Sequence, residues 1–116
     1  MLIWTGDNNA HNVWSNTADE ITNYMNVISG MVNDTFADSN TTILPIQGNH
    51  DTYVVDQQAF LKPDDNYEIE GFKDSWKQWL TDDAFVTFGK YGYYSMDIEV
   101  KTGSIPANSR LLALNT

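Results

Sequence analysis

The clearest pattern in the chain is a stripe of apolar side chains between residues 17 and 37. Apolar residues recur there at steps of three and four, the spacing that places side chains on one face of a helix. The stripe consists of Ile21, Met25, Ile28, Val32 and Phe36. Thr17 and Glu20 precede it at the spacing of a capping box, in which each side chain bonds the other residue's backbone N–H. We therefore predict a helix over residues 17–37.

Short apolar stretches flank this predicted helix. Residues 2–5 are apolar and β-prone, and residues 41–46 are apolar enough for a strand that is buried on both faces. A strand, a helix and a strand in this order predict a βαβ unit with parallel strands and a right-handed crossover. Ligands of open α/β sheets gather beyond the carboxyl ends of the strands. The sequences Gly6-Asp7 and Gly48-Asn49-His50-Asp51 should therefore meet at one edge of the sheet.

The second half of the chain has weaker patterns. Residues 47–70 predict a long polar loop, and such loops are uncommon unless they have a function. An apolar stripe with helical spacing follows and predicts a short amphipathic helix, which is more typical of a core than of a lipid or choline cage. The stripe consists of Phe72, Trp76, Trp79 and Leu80. Strands are predicted over residues 91–98, after breaks at Gly89 and Gly92, and over residues 110–115. These elements put the chain in the α/β class.

Composition restricts the possible partners. The 116 residues, of 13.2 kDa, carry a formal net charge of -10. A chain this acidic, without a basic cluster, is a poor binder of nucleic acid or anionic membranes through charge, whereas it can hold cations. The absence of cysteine from the sequence excludes disulfides and thiolate metal sites here. No apolar run approaches the length of a transmembrane segment, and no signal peptide is visible after Met1.

Two loops hold residues that suit metal and phosphate chemistry. A Gly-Asp pair after a strand is by itself an ordinary turn, and a His-Asp pair in a loop is usually solvated. The tetrapeptide Gly-Asn-His-Asp/Glu is more specific, because with average amino-acid usage it arises by chance in such a chain on the order of once in a thousand. Asp7 supplies a carboxylate that can bridge two cations about 4 Å apart. Asn49 supplies a neutral amide oxygen, and His50 supplies an imidazole, a side chain that can bind a metal or transfer a proton.

Several segments point to one family. WTGDNNAHNVW, residues 4–14, has a histidine and a Val-Trp pair after the aspartate, and GNHDTYVVDQ follows at residues 48–57. Both resemble blocks of the acid sphingomyelinase branch of the calcineurin-like metallophosphoesterases. Three later segments are also similar to that branch: FKDSWKQWL, FGKYGYYS and RLLALNT. The resemblance implies that residues 1–116 form a partial catalytic domain. It would be part of a four-layer α/β/β/α sandwich in which the βαβ unit carries the metal loops.

The same resemblance implies a role for each candidate site residue. It implies two divalent metal ions, zinc being the expected metal, with Asp7 and Asn49 as ligands. His50 is expected to contact the phosphoryl group and to stabilise its charge or protonate the leaving oxygen. His11 is expected near the phosphate or the leaving group. Asp51 is expected to orient the His50 ring.

The expected substrate is sphingomyelin or a related phosphodiester, with a nucleotide phosphodiester as the alternative, because the branch includes both activities. Members of the family are mostly secreted or lysosomal. Asn33-Asp34-Thr35 and Asn40-Thr41-Thr42 fit the N-glycosylation pattern that such a location would allow.

Parts of the family pattern are missing from the chain. The family has Asp-x-His before the Gly-Asp block, then a single His and Gly-His-x-His after the second block, yet the two histidines here stand at 11 and 50. Asn8 and Asn9 also replace a more apolar or proline-containing pair. The chain is therefore expected to be a fragment of a longer phosphodiesterase. Two alternatives stay open: a non-catalytic remnant that serves as a binding module, and an acidic cation-binding domain, although no EF-hand spacing is present.

This reading predicts that the 116-residue chain alone binds zinc weakly and hydrolyses little, because Asp7 and Asn49 cannot complete the coordination of two metal ions. Zinc titration and a phosphodiesterase assay of the isolated chain test this expectation. Tight, nearly stoichiometric zinc binding together with robust turnover would contradict it.

Overall fold

A βαβ unit forms the first part of the structure. Strand β1 (Leu2–Trp4) is followed by helix α1 (Ala18–Phe36) and strand β2 (Ile43–Pro45). The two strands pair in parallel, with Leu2 opposite Ile43 and Trp4 opposite Pro45, so the predicted parallel pair is confirmed. The computed structural model describes residues 1–12, 14–59, 62, 64, 66–98 and 109–115.

Helix α1 begins and packs as its sequence predicts. The hydroxyl of Thr17 accepts a hydrogen bond from the backbone N–H of Glu20 at 3.3 Å, and the Glu20 carboxylate accepts one from the backbone N–H of Thr17 at 2.8 Å. This reciprocal pair is the predicted capping box. Ile21 and Met25 of the apolar stripe are buried. The helix is thereby fixed at its start and held against the rest of the fold by one face.

Two further helices cover the βαβ unit, and one of them was not predicted. Helix α2 (Tyr67–Trp76) continues as a 3₁₀ turn (Lys77–Trp79), and helix α3 (Asp82–Tyr91) follows. The predicted loop over residues 47–70 is shorter than expected at its end, because α2 begins at residue 67. Residues 60, 61, 63 and 65 of that loop lie outside the described residues. Among the described helices, none combines the length and apolar content needed to cross a bilayer.

The prediction that Gly89 breaks the chain before a strand is wrong. Gly89 lies inside α3, whose first turn is capped by the Thr81 hydroxyl, which accepts the backbone N–H of Ala84 at 3.3 Å. The helix instead ends at Gly92, which has a left-handed φ of +72°, a conformation that glycine adopts without strain. The strand predicted from residue 91 therefore begins three residues later.

Two short strands complete the described fold. Strand β3 (Tyr94–Asp97) pairs antiparallel with strand β4 (Arg110–Ala113). Both lie within the predicted strands over residues 91–98 and 110–115. The Tyr94 hydroxyl donates a hydrogen bond of 2.6 Å to the backbone carbonyl of Pro45, so this second sheet is tied directly to strand β2.

An aromatic core joins the helices to strand β1. Phe72, Trp76 and Phe88 are fully buried, and the rings of Trp76 and Phe88 stack with centroids 4.8 Å apart. Trp4 of β1 packs on Trp76 with a centroid distance of 5.6 Å. Trp79 lies at the edge of the same cluster. The stripe on α2 and the following turn is therefore core, as its spacing predicts.

Glu68, in the first turn of α2, is a buried carboxyl group at 1% exposure. Burial raises its pKa, and the backbone N–H groups of Glu68 and Tyr53 oppose that rise. Its second carboxylate oxygen, Oε2, has no hydrogen-bond partner among the described residues. A buried charge with one unsatisfied oxygen destabilises the folded state.

We predict that Glu68→Gln stabilises the protein at neutral pH. Because the pKa is raised in the folded state, the native protein binds a proton that the unfolded chain releases, so wild-type stability falls as pH rises from the ordinary pKa of 4.5 to the raised value. The neutral glutamine removes that loss. Thermal unfolding should give the variant a higher Tm at pH 7, with the difference vanishing below about pH 4. A pH-independent difference between the two proteins would contradict this account.

Candidate functional site

The loops that follow β1 and β2 meet at the carboxyl edge of the parallel pair. The Asp7 carboxylate accepts a hydrogen bond from the backbone N–H of His50 at 3.1 Å, although the two residues are 43 positions apart. The predicted convergence of the Gly-Asp and Gly-Asn-His-Asp segments is therefore confirmed. It places the side chain of Asp7 beside the residues that carry the amide and the imidazole.

Two glycines permit this close approach. A methyl group at Gly48 would overlap the Asp7 carboxylate, and one at Gly6 would overlap the backbone nitrogen of Gly48. Gly6 also has a φ of +79°, and Asp7 itself has a φ of +56°. A non-glycine residue in this left-handed region is uncommon and persists only where its surroundings enforce it. The enforcing contacts come mainly from one side chain, that of Asp51.

The buried carboxylate of Asp51 binds the Gly-Asp loop along its backbone. Its Oδ2 accepts the backbone N–H groups of Asp7 at 2.8 Å and Gly48 at 3.0 Å. Its Oδ1 accepts the backbone N–H of Asn8 at 2.8 Å. The side-chain amides of Asn8 and Asn9 add a further bond to each oxygen, both of 3.2 Å. Asp51 therefore holds the loop that presents Asp7, while the expectation that it orients the His50 ring stays a prediction.

The environment of Asp51 combines an unfavourable and a favourable effect. The residue is fully buried, and burial raises the pKa of its carboxyl group, while N–H donors from Gly48, Asn8 and Asp7 oppose the rise. The negative charge of Asp7 adds a smaller contribution in the raising direction. Asp51 therefore depends on its donors for the stability of its charged form.

The two histidine rings lie close to each other. The rings of His11 and His50 lie with centroids 5.3 Å apart at an interplanar angle of 67°. His11 is exposed and His50 is half-buried, so both imidazoles can reach a bound molecule and solvent. Trp14, which follows in the same loop, is 81% exposed, so it does not pack under the Gly-Asp segment.

Asn49 presents its amide in one orientation. It lies in a single 3₁₀ turn (Asn49–Asp51), and its Nδ2 donates a hydrogen bond of 2.5 Å to Oδ1 of Asp56. The amide oxygen consequently faces away from Asp56. The Asn49 amide oxygen and the exposed Asp7 carboxylate are oxygen atoms of the type that divalent cations prefer. Within the described residues no group of three or more His, Asp or Glu side chains is arranged to hold a metal ion.

Sequence reasoning missed the contribution of the two asparagines after Asp7. Asn9 donates to the backbone carbonyl of His50 at 2.9 Å, and the Trp4 indole donates to the side chain of Asn8 at 2.8 Å. Amide side chains suit these positions because an amide can both donate and accept hydrogen bonds with the polar groups that surround it. The residue types were visible in the sequence, but their partners are 41 or more positions away or lie in the core.

No protein-family model matches the chain. It is 31% identical over 116 residues to sphingomyelin phosphodiesterase A of Dictyostelium discoideum, covering 100% of the chain and 18% of that protein. It is also 31% identical over 117 residues to cyclic GMP-AMP phosphodiesterase SMPDL3A of Bos taurus, covering 100% of the chain and 24% of that protein.

A third relative, the sphingomyelin phosphodiesterase of Bos taurus, is 26% identical over 100 residues, which cover 83% of the chain and 16% of that protein. The chain belongs to the sphingomyelinase-like phosphodiesterase family. It spans between 16% and 24% of the length of these three relatives. The equal identity to a sphingomyelin enzyme and a cyclic GMP-AMP enzyme does not distinguish the branches of the family.

We predict that Asp51→Asn destabilises the protein by about 3 kcal/mol. An amide has a single acceptor oxygen, so in either orientation its NH₂ group faces backbone N–H donors that the carboxylate now satisfies. Chemical denaturation measures the change in the free energy of unfolding. The matched control is Asp38→Asn, at an exposed residue beyond the far end of α1, which should stay within about 0.5 kcal/mol of wild type. Equal effects of the two substitutions would refute the assigned function of Asp51.

Proposed function

We propose that the protein is a metal-dependent phosphodiesterase and that residues 1–116 are the part of its catalytic domain that carries two of the metal-binding loops. The observation that carries this proposal is the hydrogen bond between the Asp7 carboxylate and the backbone N–H of His50. It joins the two family motifs at the edge of a parallel sheet where α/β proteins bind their ligands.

Asp7 and Asn49 would hold two divalent cations, with zinc as the proposed metal. Asp7 would be the bridging ligand because its carboxylate has two oxygens and is exposed. Asn49 would add an oxygen without adding charge. Bound there, two cations would neutralise phosphate charge and make a water molecule a stronger nucleophile. The remaining ligands would come from the Asp-x-His, single-His and Gly-His-x-His blocks of a complete four-layer α/β/β/α sandwich.

His50 would protonate the leaving group, and His11 would stabilise the charge on the phosphate. When water attacks phosphorus and the bond to the alcohol oxygen breaks, that oxygen needs a proton to leave as a neutral alcohol. His50, attached to the loop that contacts Asp7, would donate it and recover a proton from solvent. His11, with its ring 5.3 Å from that of His50, would stabilise the negative charge on the phosphoryl oxygens.

Sphingomyelin is the substrate we favour, with ceramide and phosphocholine as the products. A nucleotide phosphodiester is the alternative, since relatives named for both activities are equally similar to this chain. A phospholipid or other small phosphodiester suits the acidic chain better than a nucleic-acid polymer, because the net charge of -10 repels a polyanion.

A secreted or lysosomal location is part of the proposal. Asn40, in one of the two glycosylation triplets, is exposed after the end of α1, whereas Asn33 is half-buried on that helix. Asn40 is therefore the better acceptor for a glycan.

A non-catalytic binding module that keeps the fold is the second candidate. It would share the loop geometry but lack the Asp-x-His and Gly-His-x-His blocks. Reading the coding sequence on both sides of residues 1–116 separates the two candidates directly.

We predict that His50→Ala lowers kcat for sphingomyelin in the zinc-loaded, full-length protein by about 10²–10⁴-fold. The loss should be much smaller for bis(p-nitrophenyl) phosphate, because p-nitrophenolate leaves without needing a proton. Asp38→Asn should match wild type on both substrates.

The outcomes of this comparison have separate meanings. An equal loss on both substrates would reject His50 as the proton donor. Unchanged activity on both would remove His50 from the mechanism.

A further inference from the structure

The segment after the Gly-Asn-His-Asp motif closes back on Asn49. The backbone N–H of Asp56 donates to the carbonyl of Asn49 at 3.2 Å, and the Asn49 side chain donates to the Asp56 carboxylate at 2.5 Å. The Thr52 hydroxyl adds a third bond, to the carbonyl of Asn49 at 3.0 Å. We call this closed segment, residues 49–56, the Asn49–Asp56 loop.

Asp56 holds its end of the loop in an uncommon conformation. Its φ is +61°, in the left-handed region that aspartate, asparagine and glycine tolerate better than other residues. Its side chain is exposed, so its carboxylate is not required to fill a core. Within the described residues, the side chain of Asp56 hydrogen-bonds the Asn49 amide.

That contact selects one of the two orientations of an amide. A carboxylate only accepts hydrogen bonds, so the amide end that faces Asp56 must be the NH₂ group. The oxygen of Asn49 is then directed away from Asp56 and free of competition from that partner. A flipped amide would set two acceptor oxygens against each other and would offer a cation an NH₂ group, which cannot bind it.

We propose that Asp56 is a positioning residue that fixes the Asn49 amide with its oxygen free for a metal ion. This inference rests on the proposed role of Asn49 as a ligand. Partners that orient a metal ligand typically change metal affinity by about 10–100-fold when they are removed. Asp56 would act through Asn49 and would itself touch neither metal nor substrate.

Two substitutions at the same position separate orientation from charge. Asp56→Gly removes the acceptor and suits a φ of +61°, so the backbone is not strained. Asp56→Asn removes the charge but keeps an acceptor oxygen and a residue that tolerates the left-handed region. If orientation is the cause, Asp56→Gly should release the Asn49 amide, whereas Asp56→Asn should keep it oriented.

The test measures zinc dissociation constants of the full-length protein by competition with a chromogenic chelator, for wild type, Asp56→Gly, Asp56→Asn and Asn49→Ala. We expect Asp56→Gly to weaken zinc binding by about 10–100-fold and Asp56→Asn to stay within about threefold of wild type. Melting of the metal-free proteins should show Asp56→Gly within about 2 °C of wild type, as expected for an exposed residue.

Each alternative result has a distinct meaning. An unchanged zinc affinity in Asp56→Gly, with a loss in Asn49→Ala, would overturn the positioning role and leave the metal site intact. Equal losses in Asp56→Gly and Asp56→Asn would assign the effect to charge and overturn the orientation argument. An unchanged affinity in Asn49→Ala would overturn the proposed metal ligand and the inference with it.

Discussion

The buried carboxylate of Asp51 is the interaction on which the site depends. It accepts the backbone N–H groups of two loops that come from different strands, so it joins them more directly than any apolar contact. Three backbone donors at 2.8–3.0 Å define a position within a narrow range, whereas apolar packing tolerates sliding. The left-handed conformation of Asp7 can persist because these bonds hold the residues around it.

The aromatic core fixes the strands from which these loops start. Trp4 connects the two regions, because its ring packs on Trp76 while its N–H bonds to the side chain of Asn8 in the Gly-Asp loop. On the other strand, the hydroxyl of Tyr94 bonds the carbonyl of Pro45 a few residues before Gly48. Burial of this hydroxyl raises the pKa of Tyr94, so it remains a proton donor to that carbonyl. The contacts of Trp4 and Tyr94 thus hold the strands that position the site, although neither residue has a proposed role in its chemistry.

Sequence signals that lie close together in the chain explain why helix α1 is predicted and helix α3 is not. Helix α1 follows from a capping box and a five-residue stripe, both of which lie within 20 positions of one another. Gly89 predicts a break in the chain, yet helix α3 runs through it, because Thr81 caps the start of the helix and Gly92 ends it. Thr81 followed by two aspartates is an N-terminal signal that would have favoured the helix.

Some contacts of the site residues can likewise be predicted from the sequence, and others cannot. The meeting of Asp7 with His50 follows from topology alone, since the ends of parallel strands share an edge. Which groups the Asp51 carboxylate binds depends on the backbone dihedral angles of the two loops. The spacing of residues along the sequence does not determine these angles. The same holds for Asp56, whose partner Asn49 is seven positions away but reachable only because the chain turns at a left-handed residue.

The negative charges of Asp7 and Asp51 oppose the close packing of the two loops. Burial is the main cause of the raised pKa of Asp51, and the nearby carboxylate of Asp7 raises it further, so the two negative charges repel each other. The ionised form of Asp51 is stabilised by five N–H donors, three from the backbone and two from side-chain amides. Gly6 and Gly48 allow the two carboxylates to approach this closely, and the N–H donors around Asp51 offset the cost of that approach.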